Sequence, residues 1–168
     1  MIDEMMKLRF DEKQIAAIAA KYAYQREDEE VTRLKRDVAA RGFLTKDDLQ
    51  KVAYWKAPRS VHHIEKNCEE YIKEVTGFAL RTTSERARIQ ALTVLDGVSW
   101  PTASVILHFF HEEKSPILDF RALWSLMVEL PNQYTFSLWW PYVQFCRELS
   151  RRNRVDMRTL DRALWQYS

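Results

Sequence analysis

Three stretches of this chain hold residues whose types and spacing could do chemistry. In Leu95-Asp96-Gly97-Val98-Ser99-Trp100-Pro101-Thr102, Gly97 can take positive φ for a tight reversal, and Val98 can plug the space between two helices. Pro101 falls where the start of a helix tolerates proline, and Ala103 and Ser104 are small enough for close helix approach. Such a hairpin leaves the first N–H groups of its second helix pointing outward, a site suited to a phosphate. The same residues also read as two core helices joined by a glycine turn. In the second stretch, Ser115-Pro116-Ile117-Leu118-Asp119, the aspartate stands where a helix begins and reads at least as an N-cap. Trp55, Lys56 and Arg59 offer a ring for stacking and cations for phosphate; the alternative is a core tryptophan with two solvated cations.

Other chemistries are excluded by composition. Only three glycines occur, Gly42, Gly77 and Gly97, so neither a dinucleotide-binding fingerprint nor a Walker A loop can be built. Two cysteines, Cys68 and Cys146, cannot supply a zinc finger or an iron–sulfur cluster and read as buried thiols. His108 and His111 share a helix face, with Glu112 as the one companion ligand, and no metal site is expected there. Lysine and arginine exceed the acids by 26 to 24, too even a balance to announce a polyanionic partner. The distribution is uneven: Glu27 to Glu30 are acidic, whereas Arg147, Arg151, Arg152, Arg154, Arg158 and Arg162 crowd the C-terminal part and permit a basic face.

The elements that must position these residues are helical. Apolar residues recur at helical spacing from Ile15 to Tyr22, from Val31 to Val38, and from Leu49 to Ala53. Gly42 reads as a C-cap and Thr45 as an N-cap followed by acids; Ser60, Ser84 and Asp119 open further helices. Helices are predicted to reach Gly77 from Cys68, to run over 101–110 and 136–149, and to span Met157 to Tyr167, with the Trp139-Trp140 and Trp165-Tyr167 aromatics in the core. No segment alternates as a strand does. The expectation is an all-α chain of about nine or ten helices, 168 residues in a single domain. The opening MIDEMMKLRF has charges where a secretion signal has its apolar core, and the uncharged run from Leu130 to Cys146 is broken by two prolines. A soluble, cytoplasmic protein is expected.

Leu95-Asp96-Gly97-Val98-Ser99, then Thr102-Ala103-Ser104, then Pro116-Ile117-Leu118-Asp119 resemble the signature of the helix-hairpin-helix base-excision DNA glycosylase superfamily. Its endonuclease III and adenine-mismatch branches carry a Leu-Pro-Gly-Val-Gly hairpin, which the latter follows with Pro-Ile-Leu-Asp. The match covers roughly residues 85–127. The resemblance implies a two-lobed helical fold holding duplex DNA across the groove between lobes. Residues 84–111 would be the helix-hairpin-helix element, and the N- and C-terminal helices would form the second lobe. Gly97, Val98, Ser99, Trp100 and Thr102 would grip the DNA backbone, helped by Lys56, Arg59 and Arg121, with a monovalent cation at the carbonyls of Leu95 and Val98. Asp119 would be the catalytic carboxylate: breaking an N-glycosidic bond builds positive charge on the sugar, which an ionised acid stabilises.

The departures from that pattern narrow the expected activity. Where bifunctional members place a lysine nucleophile, this chain has Pro101, so the expected enzyme is a monofunctional N-glycosylase without lyase activity or cofactor. Ser99 replaces the second hairpin glycine, and Asp96 replaces a proline and brings a negative charge towards the phosphate. The cluster-binding cysteines of the family are missing. The alternatives are a DNA-binding module that has lost the chemistry and a helical protein-interaction domain; each is expected to be a monomer.

Overall fold

The computed structural model describes residues 6–168, and none of them lies in a strand. The first five residues of the opening segment fall outside the described part. The helices are α1 (Ile15–Ala19), α2 (Gln25–Thr32), α3 (Lys35–Arg41), α4 (Lys46–Lys56), α5 (Val61–Ile64), α6 (Glu69–Arg81), α7 (Glu85–Leu92), α8 (Trp100–Phe110), α9 (Phe120–Ser125), α10 (Phe136–Asn153) and α11 (Met157–Tyr167), with 3-10 turns at Glu12–Gln14 and Pro58–Ser60. The all-α expectation holds. No helix among the described residues is long and apolar enough to cross a membrane.

The chain forms two compact units. One holds α2 to α8, Tyr24–Glu113; the other joins the N-terminal stretch, up to Ala23, to Lys114–Ser168. In the first unit α4 is central, with Leu49, Val52 and Ala53 fully buried. Thr45 begins α4 with a capping box: its hydroxyl accepts from Asp48 N–H while the Asp48 carboxylate accepts from Thr45 N–H at 2.8 Å. Gly42 ends α3 in the left-handed region, as its type predicts. Arg88 is 5% exposed, although it lies on α7; its guanidinium donates to the C=O of Ala79 at 2.9 Å and to that of Thr82, tying α7 to the carbonyl end of α6.

In the second unit α1 and α9 pack on α11, and α10 supplies the fully buried Trp139, Tyr142, Val143 and Leu149. Pro141 lies inside α10, which continues to Asn153. It removes a donor to the C=O of Ser137, an exposed residue whose carbonyl can turn to water.

Several predicted details need correction. The helix drawn through Val31, Leu34 and Val38 is two helices, interrupted at Arg33 and Leu34. Ser60 does not cap α5; its hydroxyl donates to Ala57 C=O. The helix expected to stop at Gly77 runs on to Arg81, with Gly77 buried in its interior against Phe43. Cys146 is buried, but Cys68 is exposed, because it precedes α6 rather than lying on its inner face. Tyr167 is 40% exposed, so the terminal aromatics are not all core.

Two glycines have left-handed backbone, and their surroundings differ. A Cβ on Gly42 (φ +79°) would meet nothing within 4 Å, whereas one on Gly97 (φ +81°) would lie 2.9 Å from both the Ser60 carbonyl oxygen and Ile64 Cδ1. Gly42→Ala should therefore cost about 1 kcal/mol, the ordinary left-handed penalty. Gly97→Ala should cost that penalty and a backbone clash besides, about 3 kcal/mol or more. Urea unfolding of the two variants side by side checks the difference.

Candidate functional site

The hairpin is formed by α7 and α8 and lies wholly in the Tyr24–Glu113 unit. Val98 N–H donates to Leu95 C=O at 3.1 Å, closing a four-residue turn with Gly97 third, the position at which a type II turn demands positive φ. Leu95 and Val98 are buried and anchor the turn from inside, while Asp96 and Ser99 are exposed. Proline is favoured second in such a turn, because its ring presets φ. This chain has Asp96 there and fixes the backbone from outside. The side chain of Asn67, 3% exposed, accepts from Asp96 N–H and donates to Asp96 C=O, both at 3.0 Å, and also donates to Ile64 C=O. Lys46 in turn donates to the carbonyls of Glu65 and Asn67, each at 2.8 Å.

Ser99 is the N-cap of α8, yet its side chain makes no capping bond. Pro101 contributes no N–H, so the first-turn donors are those of Trp100 and Thr102. The side chain of Thr102 is 1% exposed and its hydroxyl has no hydrogen-bond partner; a phosphate contact here would use its backbone N–H. Trp100 is half-buried. Leu95 C=O already accepts within the turn, so a cation there would share that oxygen.

Ser60 and Ile64 touch the Gly97 turn, which brings the Pro58–Ser60 segment and its exposed Arg59 against the hairpin. Lys56 ends α4 just before it, half-buried. Trp55 packs edge-on against Phe109 at 5.6 Å, a core contact for a half-buried ring. His108 and His111 are both buried.

Asp119 belongs to the other unit, as does Arg121. It is half-buried and caps α9, its Oδ1 accepting from Arg121 N–H at 2.9 Å. The segment leading to it is held along its length. Arg147 donates to Lys114 C=O at 3.0 Å. Ile117 is held on both sides: its N–H donates to Asp161 Oδ1 at 2.9 Å, and its C=O accepts from the Tyr142 hydroxyl at 2.8 Å. Asp161, 5% exposed, has its second oxygen 2.5 Å from the Arg158 guanidinium, which also donates to the Tyr22 hydroxyl.

The electrostatics agree with this assignment of donors. Burial pushes the Tyr142 phenol well above its usual range, with Cys146, Asp161 and Asp119 adding to the effect, so the hydroxyl keeps the proton it donates. Cys146 is pushed up in the same way, by burial and then Asp161, and stays an inert thiol. The Tyr134 phenol is also raised, first by burial and then by the charge of Asp119. That second cause places Tyr134 within electrostatic reach of the carboxylate.

Sequence reading missed Asn67, Tyr142 and Asp161. A buried asparagine that imitates a paired backbone leaves no periodic signal, and Tyr142 reads as one more apolar position of α10. Asp161 had a weak signal, an acid in the otherwise inward row of Leu160, Ala163 and Leu164. Comparison with the known protein families, with curated proteins and with solved structures finds no match to this chain.

Tyr142→Phe leaves the Ile117 carbonyl without its donor and should cost about 1–3 kcal/mol. Asp161→Asn breaks the buried pair with Arg158 and should cost about 3 kcal/mol or more. Amide exchange at Ile117 and Leu118 should rise in both variants while exchange in α4 is unchanged, which separates a local release from general loosening.

A second test uses pH. At Glu12 burial acts upward but is outweighed by hydrogen bonds from Asn153 and Arg152, leaving the carboxyl below its ordinary 4.5. At Asp156 burial is likewise outweighed, here by the Thr159 N–H and hydroxyl, leaving it below 3.8. Both groups are lowered on folding, so their stabilisation is complete above those ordinary values and is lost as pH falls through the folded ones. Urea midpoints should drop from about pH 4.5 downward. The drop should be shallower in Glu12→Gln and Asp156→Asn.

Proposed function

We propose that this protein binds duplex DNA through the Gly97 hairpin and acts as a monofunctional DNA N-glycosylase, with Asp119 as its carboxylate. The observation that carries the reading is the hairpin: a positive-φ glycine turn, clasped by Asn67, leads into a helix whose N-cap side chain makes no capping bond. The first-turn N–H groups are donors for a phosphate oxygen, and the helix dipole favours the negative charge. The exposed Arg59 and half-buried Lys56, on and just before the segment that lies against that turn, would supply cations.

In the reaction, the bond between sugar C1′ and the base nitrogen breaks, the electron pair leaves with the base, and a water oxygen bonds to C1′. Asp119 would stabilise the positive charge on the sugar and take the proton of the attacking water. Its base would first have to leave the stack, at a cost of a few kcal/mol. The hold on Ile117 suits this role, because a carboxylate that stabilises developing charge must not reorient as the charge appears. One observation favours the non-catalytic DNA-binding module instead. Asp119 Oδ1 is engaged in capping α9, a structural task sufficient in itself to explain an aspartate there.

The protein should retard duplex DNA at low salt, with affinity falling steeply as salt rises and less steeply in Lys56→Ala and Arg59→Ala. On duplexes carrying damaged or mismatched bases, alkali should reveal strand breaks whose rate falls about a hundredfold or more in Asp119→Asn. Retardation without breaks in the wild type would leave the binding module; equal breaks in wild type and variant would remove Asp119 from the chemistry.

A further inference from the structure

Helix α9 carries a surface that its own packing does not explain. Phe120 and Trp124 stand one helical turn apart and are 56% and 44% exposed, with Arg121 in the same turn. Just past the C-cap Leu126 stands Met127, which is 49% exposed and has φ +59°, and Val128 N–H closes back on Leu123 C=O. This is the left-handed C-terminal position that glycine or asparagine fills at least cost. An apolar, solvent-facing side chain held there does nothing for the stability of the helix end.

The arginines of this unit fall into two sets, some paired with carboxylates and others seated on rings, as Arg147 is on Trp140 and Arg162 on Tyr22. Arg151 pairs with Glu148, Arg152 with Glu12, and Arg158 with Asp161. Arg9 and Arg121 instead lie on rings: Arg9 is 4.2 Å from the Trp124 ring centre and Arg121 is 4.3 Å from that of Trp165. Neither forms an ion pair with a carboxylate among the described residues. A ring orients a guanidinium without neutralising it, so both forks keep a full charge and donors for an anion. At the start of the same helix, Asp119 Oδ1 accepts from Arg121 N–H. Tyr167, 40% exposed and 6.2 Å from Trp124, extends the aromatic surface.

We propose that this face of α9, together with Arg9, binds single-stranded nucleic acid. An unpaired base stacks on Phe120 and meets the exposed edge of Trp124, and Arg9 and Arg121 hold the neighbouring phosphates. The open ring of Phe120 lies on the same helix turn as an oriented cation, next to the Arg9–Trp124–Tyr167–Phe10 stack, and in a single strand a base likewise lies next to a phosphate. The surplus of positive charge complements a polyanion. This surface depends neither on Asp119 acting chemically nor on the Gly97 hairpin gripping a duplex.

The test is fluorescence anisotropy of the full chain with a labelled oligothymidylate of about 12 nucleotides, against an abasic deoxyribose-phosphate oligomer of the same length. Oligothymidylate should bind about tenfold or more tighter than the abasic oligomer and should quench tryptophan fluorescence. Phe120→Ala should weaken its binding about 5- to 50-fold with an unchanged thermal melt, since the ring is exposed. Arg121→Gln should flatten the salt dependence. Lys56→Ala and Arg59→Ala should leave this binding intact, which separates the surface from the hairpin. Absence of binding, equal affinity for the abasic oligomer, or indifference to Phe120→Ala would each overturn the proposal. Sedimentation showing a wild-type dimer that Phe120→Ala dissociates would overturn it too, giving the face to a second copy.

Discussion

A chain folded into short helices has to satisfy many backbone groups that have no partner within their own helix. Each helix leaves up to four N–H and four C=O groups over, and helices here run from the four residues of α5 to the eighteen of α10. Where the ends are buried, water cannot serve them, and the cost of an unmet group is about 1–3 kcal/mol. Side chains meet this demand at helix ends, Arg88 at the end of α6 and Ser125 on Leu164 C=O, and the like demand of the connections, Asn67 on Asp96 and Tyr142 and Asp161 on Ile117. These are the contacts that fix loop geometry, because helix packing alone leaves the connections free to slide.

The same constraint explains which features were legible in the sequence. Residues that act on their own helix follow local rules, so Gly42, Thr45, Ser84, Asp119 and the span of α11 could all be read directly. Residues that act across the fold follow none. Asn67 and Asp96 are twenty-nine positions apart, and Ile117 and Asp161 forty-four, so their pairing depends on topology and leaves no local trace. Gly97 lies between these cases. Its positive φ was legible, but the contact with Ser60 that forbids a side chain there was not.

Both candidate elements, the hairpin and the Asp119 segment, are supported in this way within their own units. At the hairpin, Asn67 does from outside what a proline at position 96 would do from inside, so an aspartate there does not imply a looser turn. The aspartate's charge is exposed while its backbone is clasped. Near Asp119 the supporting groups are themselves ionisable or nucleophilic, but burial keeps the phenol of Tyr142 and the thiol of Cys146 protonated. The half-buried carboxylate of Asp119 lies at the end of this segment.

Arginine use follows from the same physics. A guanidinium facing a carboxylate has its charge cancelled and its donors used, which makes Arg152 and Arg158 structural links between the N-terminal stretch and the last two helices of their unit. A guanidinium on an indole has its plane fixed and its charge intact. Arg9 illustrates the difference within one side chain: its Nε donates to the Trp124 carbonyl at 2.5 Å, fixing the group in place, while the ring beneath it leaves the charge uncancelled. A net charge of only +2 therefore understates the positive potential available locally, since what counts is how many cations are left uncancelled and how rigidly they are aimed.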